Sequence, residues 1–147
     1  MELARRLVGT YRLLSFENFA DDGEVQTPFG PDPRGFAMYT AEGYMSAILM
    51  VRNRPNFPEG DILAASDAQR VEAFATSSAY AGRWEIVGDQ IIHHLEATTY
   101  PNWTDTDQPR NFDLTDTHFT LYPPRMLMQG KIRRGRVHFE RITDRIA

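Results

Sequence analysis

Between Tyr80 and Trp103 the chain reads YAGRWEIVGDQIIHHLEATTYPNW. This stretch holds adjacent histidines, His93 and His94, with Glu96 close by, and both tryptophans of the protein. An imidazole beside aromatic rings can accept and return a proton near neutral pH, and a carboxylate next to it supplies the complementary acid or base. That is the chemistry of a cofactor-free ring closure or isomerisation. His93, His94 and Glu96 are therefore the candidate catalytic groups. Tyrosine hydroxyls at Tyr39, Tyr44, Tyr80 and Tyr100 are candidates to orient a ligand oxygen, and Trp84 and Met45 to pack an apolar one. The Pro101-Asn102-Trp103 corner sets Asn102 and Trp103 where a cavity mouth would be. Arg110, just after it, is suited to an acid inside the fold or to a ligand oxygen.

What positions these groups is a two-residue connection, Gly88-Asp89, of the kind that closes a hairpin. It sets Val87 against Gln90, Trp84 against His93, Arg83 against His94, Gly82 against Leu95 and Ala81 against Glu96. Strand side chains alternate. One face then carries Tyr80, Trp84, Ile86, Ile91, His93, Leu95 and Ala97, and the other carries Arg83, Glu85, His94, Glu96 and Thr98. The first face is apolar apart from His93, so it is expected to point inward. Were the faces reversed, His94 and Glu96 would be the acid–base pair.

Each candidate has a plainer reading. His93 fits a core histidine satisfied by a carbonyl or a tyrosine hydroxyl, and the Arg83, His94 and Glu96 group fits a solvated cross-strand cluster. Rim tyrosines also serve packing alone. A metal site is disfavoured, because adjacent strand histidines point apart and His118 and His138 lie far off in the sequence. Asp32 and Arg34 in the PDPRG loop are expected to pair locally.

The rest of the chain supplies strands. Leu7 to Phe19 reads as a long first strand, Glu24 to Thr27 as a short return, and Pro28 to Gly35 as a rigid loop. Gly35–Thr40 and Gly43–Met50 form a hairpin. After a loop from Arg52 to Gly60 the period changes, and a helix is expected from Gln69 to Thr76 with Asp67 as a possible cap. Tyr100 to Pro109 reads as loop, followed by strands at 110–114, 118–122, 126–129 and 136–142. About ten short strands in sequential hairpins with one short α-helix make an all-β protein. A closed antiparallel up-and-down barrel of about 8–10 strands removes exposed edges, with a flattened sandwich as the alternative.

At 147 residues one domain is expected. A net charge of -4 without clustered Lys and Arg argues against nucleic acid. Zero cysteines exclude a disulfide framework and thiolate chemistry and fit a reducing compartment. The opening MELARRLVGTYRLLSF has too short an apolar run for a secretory signal or a membrane span, so a cytoplasmic location off the membrane is expected. Neither a phosphate-cradling glycine motif, nor a G-x-S-x-G elbow, nor a nicotinamide fingerprint is present. No cofactor is therefore expected. Oligomeric state is open, a homodimer included.

LVGTYRL resembles the G-x-W opening of lipocalins, with Tyr11 in place of tryptophan, and FERI near the end supplies Arg141, which in such folds stacks beneath that aromatic. Together with DGEVQTPFGPDPRGFAMYTAEGYMSA, YAGRWEIVGD and HHLEATTYPNW, the chain resembles the bacterial lipocalin-like domain family over most of its length. The resemblance implies a calycin-type barrel with an internal cavity for a hydrophobic small molecule. Similar small barrels include polyketide-tailoring cyclases, spiroacetal-forming ones among them. On that basis the expectation is a barrel that binds an apolar, oxygenated molecule and promotes its cyclisation, or else a carrier with the same pocket and no chemistry. A filled barrel working through its surface is the third option.

Overall fold

The Gly88-Asp89 turn closes as its residues demand. Gly88 adopts a φ of +63°, which glycine reaches without steric cost, and Val87 pairs with Gln90 across it. The structure is a computed structural model that describes residues 1–58 and 60–144. Around this hairpin it places β1 (Gly9–Ala20), β2 (Val25–Gln26), β3 (Arg34–Tyr39), β4 (Tyr44–Met50), β5 (Ser77–Val87), β6 (Gln90–Thr98), β7 (Thr106–Leu114), β8 (His118–Tyr122), β9 (Met126–Met128) and β10 (Lys131–Arg141). Two helices, α1 (Glu2–Leu7) and α2 (Asp67–Ala75), and a 3₁₀ turn at Pro101–Trp103 complete the described residues.

Eight strands run antiparallel in the order β1-β3-β4-β5-β6-β7-β8-β10, and β10 pairs back onto β1. The ring is a closed barrel, as expected, with β2 and β9 added to the far ends of β1 and β10. Closure satisfies the long strands on both sides.

One end is packed solid. Tyr11, Tyr39, Ile91, Phe119 and Phe139 are buried from five different strands. The rings meet edge to face, Tyr39 against Trp84 at 5.4 Å and against Phe119 at 5.5 Å, and each such pair adds about 0.5–1.5 kcal/mol beyond its buried area. Arg141 seals this end. Its guanidinium lies 4.9 Å over the Tyr11 ring, the stacking that the sequence resemblance implied, and donates to the carbonyls of Val8 and Arg6 and to the Tyr11 hydroxyl. A side chain at Gly9 would stand 2.5 Å from Arg141 Nη1, so the G-x-Y opening leaves room for the arginine. The helix α1 was not anticipated. The strand expected from Leu7 starts instead at Gly9, and Leu7, fully buried, plugs the barrel end.

Several local expectations need correction. Ser66, not Asp67, caps α2, through a reciprocal box with Gln69. Asp32 pairs with Arg52 at 2.9 Å rather than with Arg34, because β3 carries Arg34 into the ladder opposite Met50. The loop expected through Pro109 ends early, since β7 begins at Thr106. Pro109 is tolerated there because β8 joins β7 only from Asn111 onward, leaving Pro109 a neighbour in β6 alone.

The hairpin register matches expectation from Val87–Gln90 to Gly82–Leu95 and then slips. Ala81 pairs with Ala97, not Glu96, and Glu96 is left as the extra residue of a bulge. Gly82 permits this, because a β-carbon there would overlap the His94 carbonyl oxygen and crowd the Glu96 amide. Gly82→Ala is expected to cost about 1–3 kcal/mol of stability by urea unfolding. Gly60→Ala, which meets no atom within 4 Å, should stay within about 0.5 kcal/mol of wild type.

Candidate functional site

Beyond the aromatic layer the barrel is hollow. A cavity of about 330 Å³ opens at the end opposite Arg141. Its wall comes from the late part of β1 (Phe16, Asn18), from Leu49, from the early part of β5 (Ser78, Tyr80) and from Val137, all places where inward alternation continues past the packed layer. The rim comes from four connections, one of them the Pro123-Pro124 link between β8 and β9. Phe29 belongs to the proline-rich loop, Phe74 to α2, and Tyr100 and Trp103 to the 3₁₀ corner. The helix α2 buries none of its residues. It is held at the rim by Arg54, which donates to the Ala73 carbonyl and the Thr76 hydroxyl, so its apolar residues Val71 and Phe74 stay exposed.

At the junction of the packed and hollow halves lies a buried polar chain. Arg110, 3% exposed, lines the cavity and donates from Nε to His93 Nδ1 at 3.3 Å. A guanidinium has no acceptor, so His93 Nδ1 must accept and the ring proton must sit on Nε2. That N–H donates to the Tyr39 hydroxyl oxygen, which lies 2.9 Å from Nε2. His93 is fully buried. Burial first, and then Arg110 and His94, hold its pKa well below the ordinary value, so the imidazole is neutral. Burial also pushes the Tyr39 and Tyr80 hydroxyls upward, Tyr39 strongly. The Arg110 guanidinium lies 5.9 Å from the centre of the Tyr80 ring, and its Nη1 is buried without a hydrogen-bond partner. Neutral groups thus surround a single cation.

The sequence candidates separate cleanly. Tyr80, Tyr100, Trp103 and Arg110 line the cavity. His93 points inward, as the face pattern requires, but does not form the wall, and the residues that touch both His93 and the cavity are Tyr80 and Arg110. Tyr39, Trp84 and Met45 belong to the core beneath, and the Trp84 indole donates to the Thr40 carbonyl. Tyr44 is outside and exposed, and Asn102 donates outward to the Tyr100 hydroxyl. Glu96 is exposed in the bulge. On the outer face His94 bridges two carboxylates, Asp107 at 2.7 Å and Glu85 at 2.9 Å, which raise its pKa, Asp107 most. It has no path to the cavity. Sequence reasoning missed Phe16, Leu49, Phe74 and Val137, whose convergence depends on barrel closure and leaves no local signal.

A closed antiparallel barrel with an apolar cavity at one end and a buried polar group at its floor is the architecture of a small-molecule-binding barrel. The lipocalin-like domain model matches residues 8–142, and the chain belongs to that family. Such a barrel is suited to a small hydrophobic ligand. No curated protein matches the chain. Among solved structures it is similar to an uncharacterized protein from Bacteroides eggerthii DSM 20697, at 18% identity and a TM-score of 0.47, over 92% of this chain and 98% of that one. Among the described residues no helix is long and apolar enough to cross a membrane.

The two histidines should tilt the pH dependence of stability in opposite senses. Below the unfolded pKa of about 6.5, the unfolded chain takes up a proton at that position that buried His93 refuses, so stability falls as pH falls through that point. His94 contributes stability that is full below about 6.5 and is lost as pH rises through its elevated value. Urea unfolding across that range should show a weakened acid-side decline in His93→Gln. His94→Gln should lose a contribution of at most about 1 kcal/mol on the acid side, because its carboxylate partners are exposed.

Proposed function

We propose that the protein binds an apolar, oxygenated small molecule inside its barrel. The observation that carries this reading is the hollow half, an apolar cavity of about 330 Å³ with one polar floor. A barrel evolved only for a surface contact gains by filling such a space, since a buried void forfeits packing. The absence of cysteine supports a cytoplasmic setting for that ligand.

One arrangement favours a second reading, in which the bound molecule is closed into a ring, as in acetal or spiroacetal formation on a polyketide-type chain. Tyr80 and Arg110 both line the cavity, the guanidinium 5.9 Å from the centre of the tyrosine ring, with His93 and Tyr39 fixing the arginine from behind. Acetal formation joins two hydroxyl oxygens to one ketone carbon and expels the carbonyl oxygen as water. Arg110 would stabilise charge on the departing oxygen, and Tyr80 would give that oxygen a proton and take one back from the attacking hydroxyl, so that both hydroxyl protons leave in the water, while the cavity walls hold the chain ends together. His93 is in this scheme a positioning residue, and His94 and Glu96 take no part.

The binding reading is tested with a neutral apolar fluorophore, N-phenyl-1-naphthylamine. Wild type should enhance its emission, and Ser78→Trp, which fills the cavity from β5, should weaken binding by at least about tenfold with the thermal midpoint retained. Equal binding by both proteins places the probe elsewhere and rejects the cavity as the site. Ring closure is checked by following a dihydroxyketone by NMR. Tyr80→Phe should slow it by about 10²-fold, and a wild-type rate equal to that of Ser78→Trp removes the catalytic reading.

A further inference from the structure

We infer that the cavity takes an apolar molecule ending in a single carboxylate, and that Arg110 is the receptor for that end. The inference rests on the cavity-binding reading and names the chemical class of its ligand. Its starting point is a charge without a counterion. Arg110 is 97% buried by its 3% exposure, and a guanidinium keeps its charge and offers donors only. Among the described residues no carboxylate pairs with it. Its one protein hydrogen bond runs to a neutral imidazole, and Nη1 has none.

The other buried arginine shows what a structural solution looks like. Arg133, 2% exposed, gives Nη2 to Glu24 at 3.0 Å and Nε to the Met128 carbonyl. Although its Nη1, like that of Arg110, has no hydrogen-bond partner, its charge is met by a carboxylate within the protein. Arg110 lines the hollow and has no such partner, so the missing anion has a place to come from, the cavity itself.

The surrounding groups specify the form of that anion. His93 engages Nε and is itself anchored by Tyr39, which fixes the plane of the guanidinium, and on its terminal N–H edge Nη1 is buried without a protein partner. A carboxylate matches that edge with two parallel hydrogen bonds. One cation calls for one negative charge. Phe16, Leu49, Trp103 and Val137 call for an apolar body, and a volume of about 330 Å³, near the lower end of the ~300–1,000 Å³ usual for ligand cavities, selects a medium-length or monocyclic acid over a long-chain lipid.

The probes are decanoate and decan-1-ol, which share a chain and differ in the charge of the end group, titrated calorimetrically into the intact protein at mildly alkaline pH. Wild type should bind decanoate about 10–100-fold more tightly than decanol, the range of a charge-assisted hydrogen bond. Arg110→Met should remove that preference while retaining decanol binding, and should melt no lower than wild type, because an unpaired buried cation is replaced by an apolar chain of similar length. Equal affinities for both probes in wild type would overturn the carboxylate proposal and leave the cavity-binding reading standing. Binding of neither would overturn both. A decanoate preference that survives Arg110→Met would assign the anion to another group and refute the role of Arg110.

Discussion

Arg110 carries a positive charge to the wall of a largely apolar cavity, and the arrangement of the interior follows from how that charge is held. A lone ion in such surroundings costs several kcal/mol, so the chain around it is built to be neutral and fixed. His93 cannot become a second cation beside it, and burial together with the arginine's own field keeps the imidazole unprotonated. Tyr39 then takes the only proton His93 has to give. This short relay sits on top of the aromatic layer of Tyr39, Trp84 and Phe119, which resists collapse because edge-to-face rings leave little freedom to repack. Rigid packing below and an immobile guanidinium above make a floor that cannot sink into the hollow.

Strand alternation made the inner face of the Tyr80–Thr98 hairpin legible in sequence, because one turn fixes register and one apolar face fixes direction. That logic put His93 inside and His94 outside, and both are there. It failed at Glu96, where a bulge adds a residue and ends the two-residue period. Gly82 is the sequence mark of that bulge, but a glycine within a strand reports only that something approaches closely, not what. Arg110 was visible as a residue suited to an acid within the barrel or to a ligand oxygen. Its lack of an internal partner was not, because pairing across a barrel joins residues far apart in sequence. The same holds for Phe16 and Val137, brought opposite each other only when β10 closes onto β1. Short-range signals went astray where two were adjacent: Ser66 outcompeted Asp67 as a cap because only Ser66 has Gln69 at the third helical position to complete the box.

The neighbouring histidines show how strongly environment outweighs residue type. Their α-carbons are consecutive, yet one ring is sealed among aromatic groups beside a guanidinium and the other spans two exposed carboxylates. Desolvation and a like charge drive the first toward neutrality, and hydrogen bonds donated to two carboxylates favour protonation of the second. A cluster that looks catalytic when written in one line is therefore two unrelated sites on opposite sides of a sheet. The cavity is lined by Tyr80 and Arg110, and neither His94 nor Glu96 reaches it.

The position of the hollow follows from the asymmetry of the two barrel ends. At the Arg141 end the closing groups are inherent to the strands: Gly9 makes room, Tyr11 supplies the ring, and Arg141 stacks and ties down the carbonyls of α1. At the other end β1 and β10 stay paired with each other while β2 and β9 replace β3 and β8 as their outer neighbours, and loops, β9 and a helix without buried residues border the opening. Proline locks the loop backbones at Pro28, Pro123 and Pro124 but brings no long side chain to fill the space between them. Phe16, Asn18, Leu49 and Val137 project from the strands beneath, and the volume they leave open is the cavity. A barrel sealed by its own strands at one end and bordered by its connections at the other opens in one direction, and Arg110, buried where the hollow meets the packed half, lines that opening's interior.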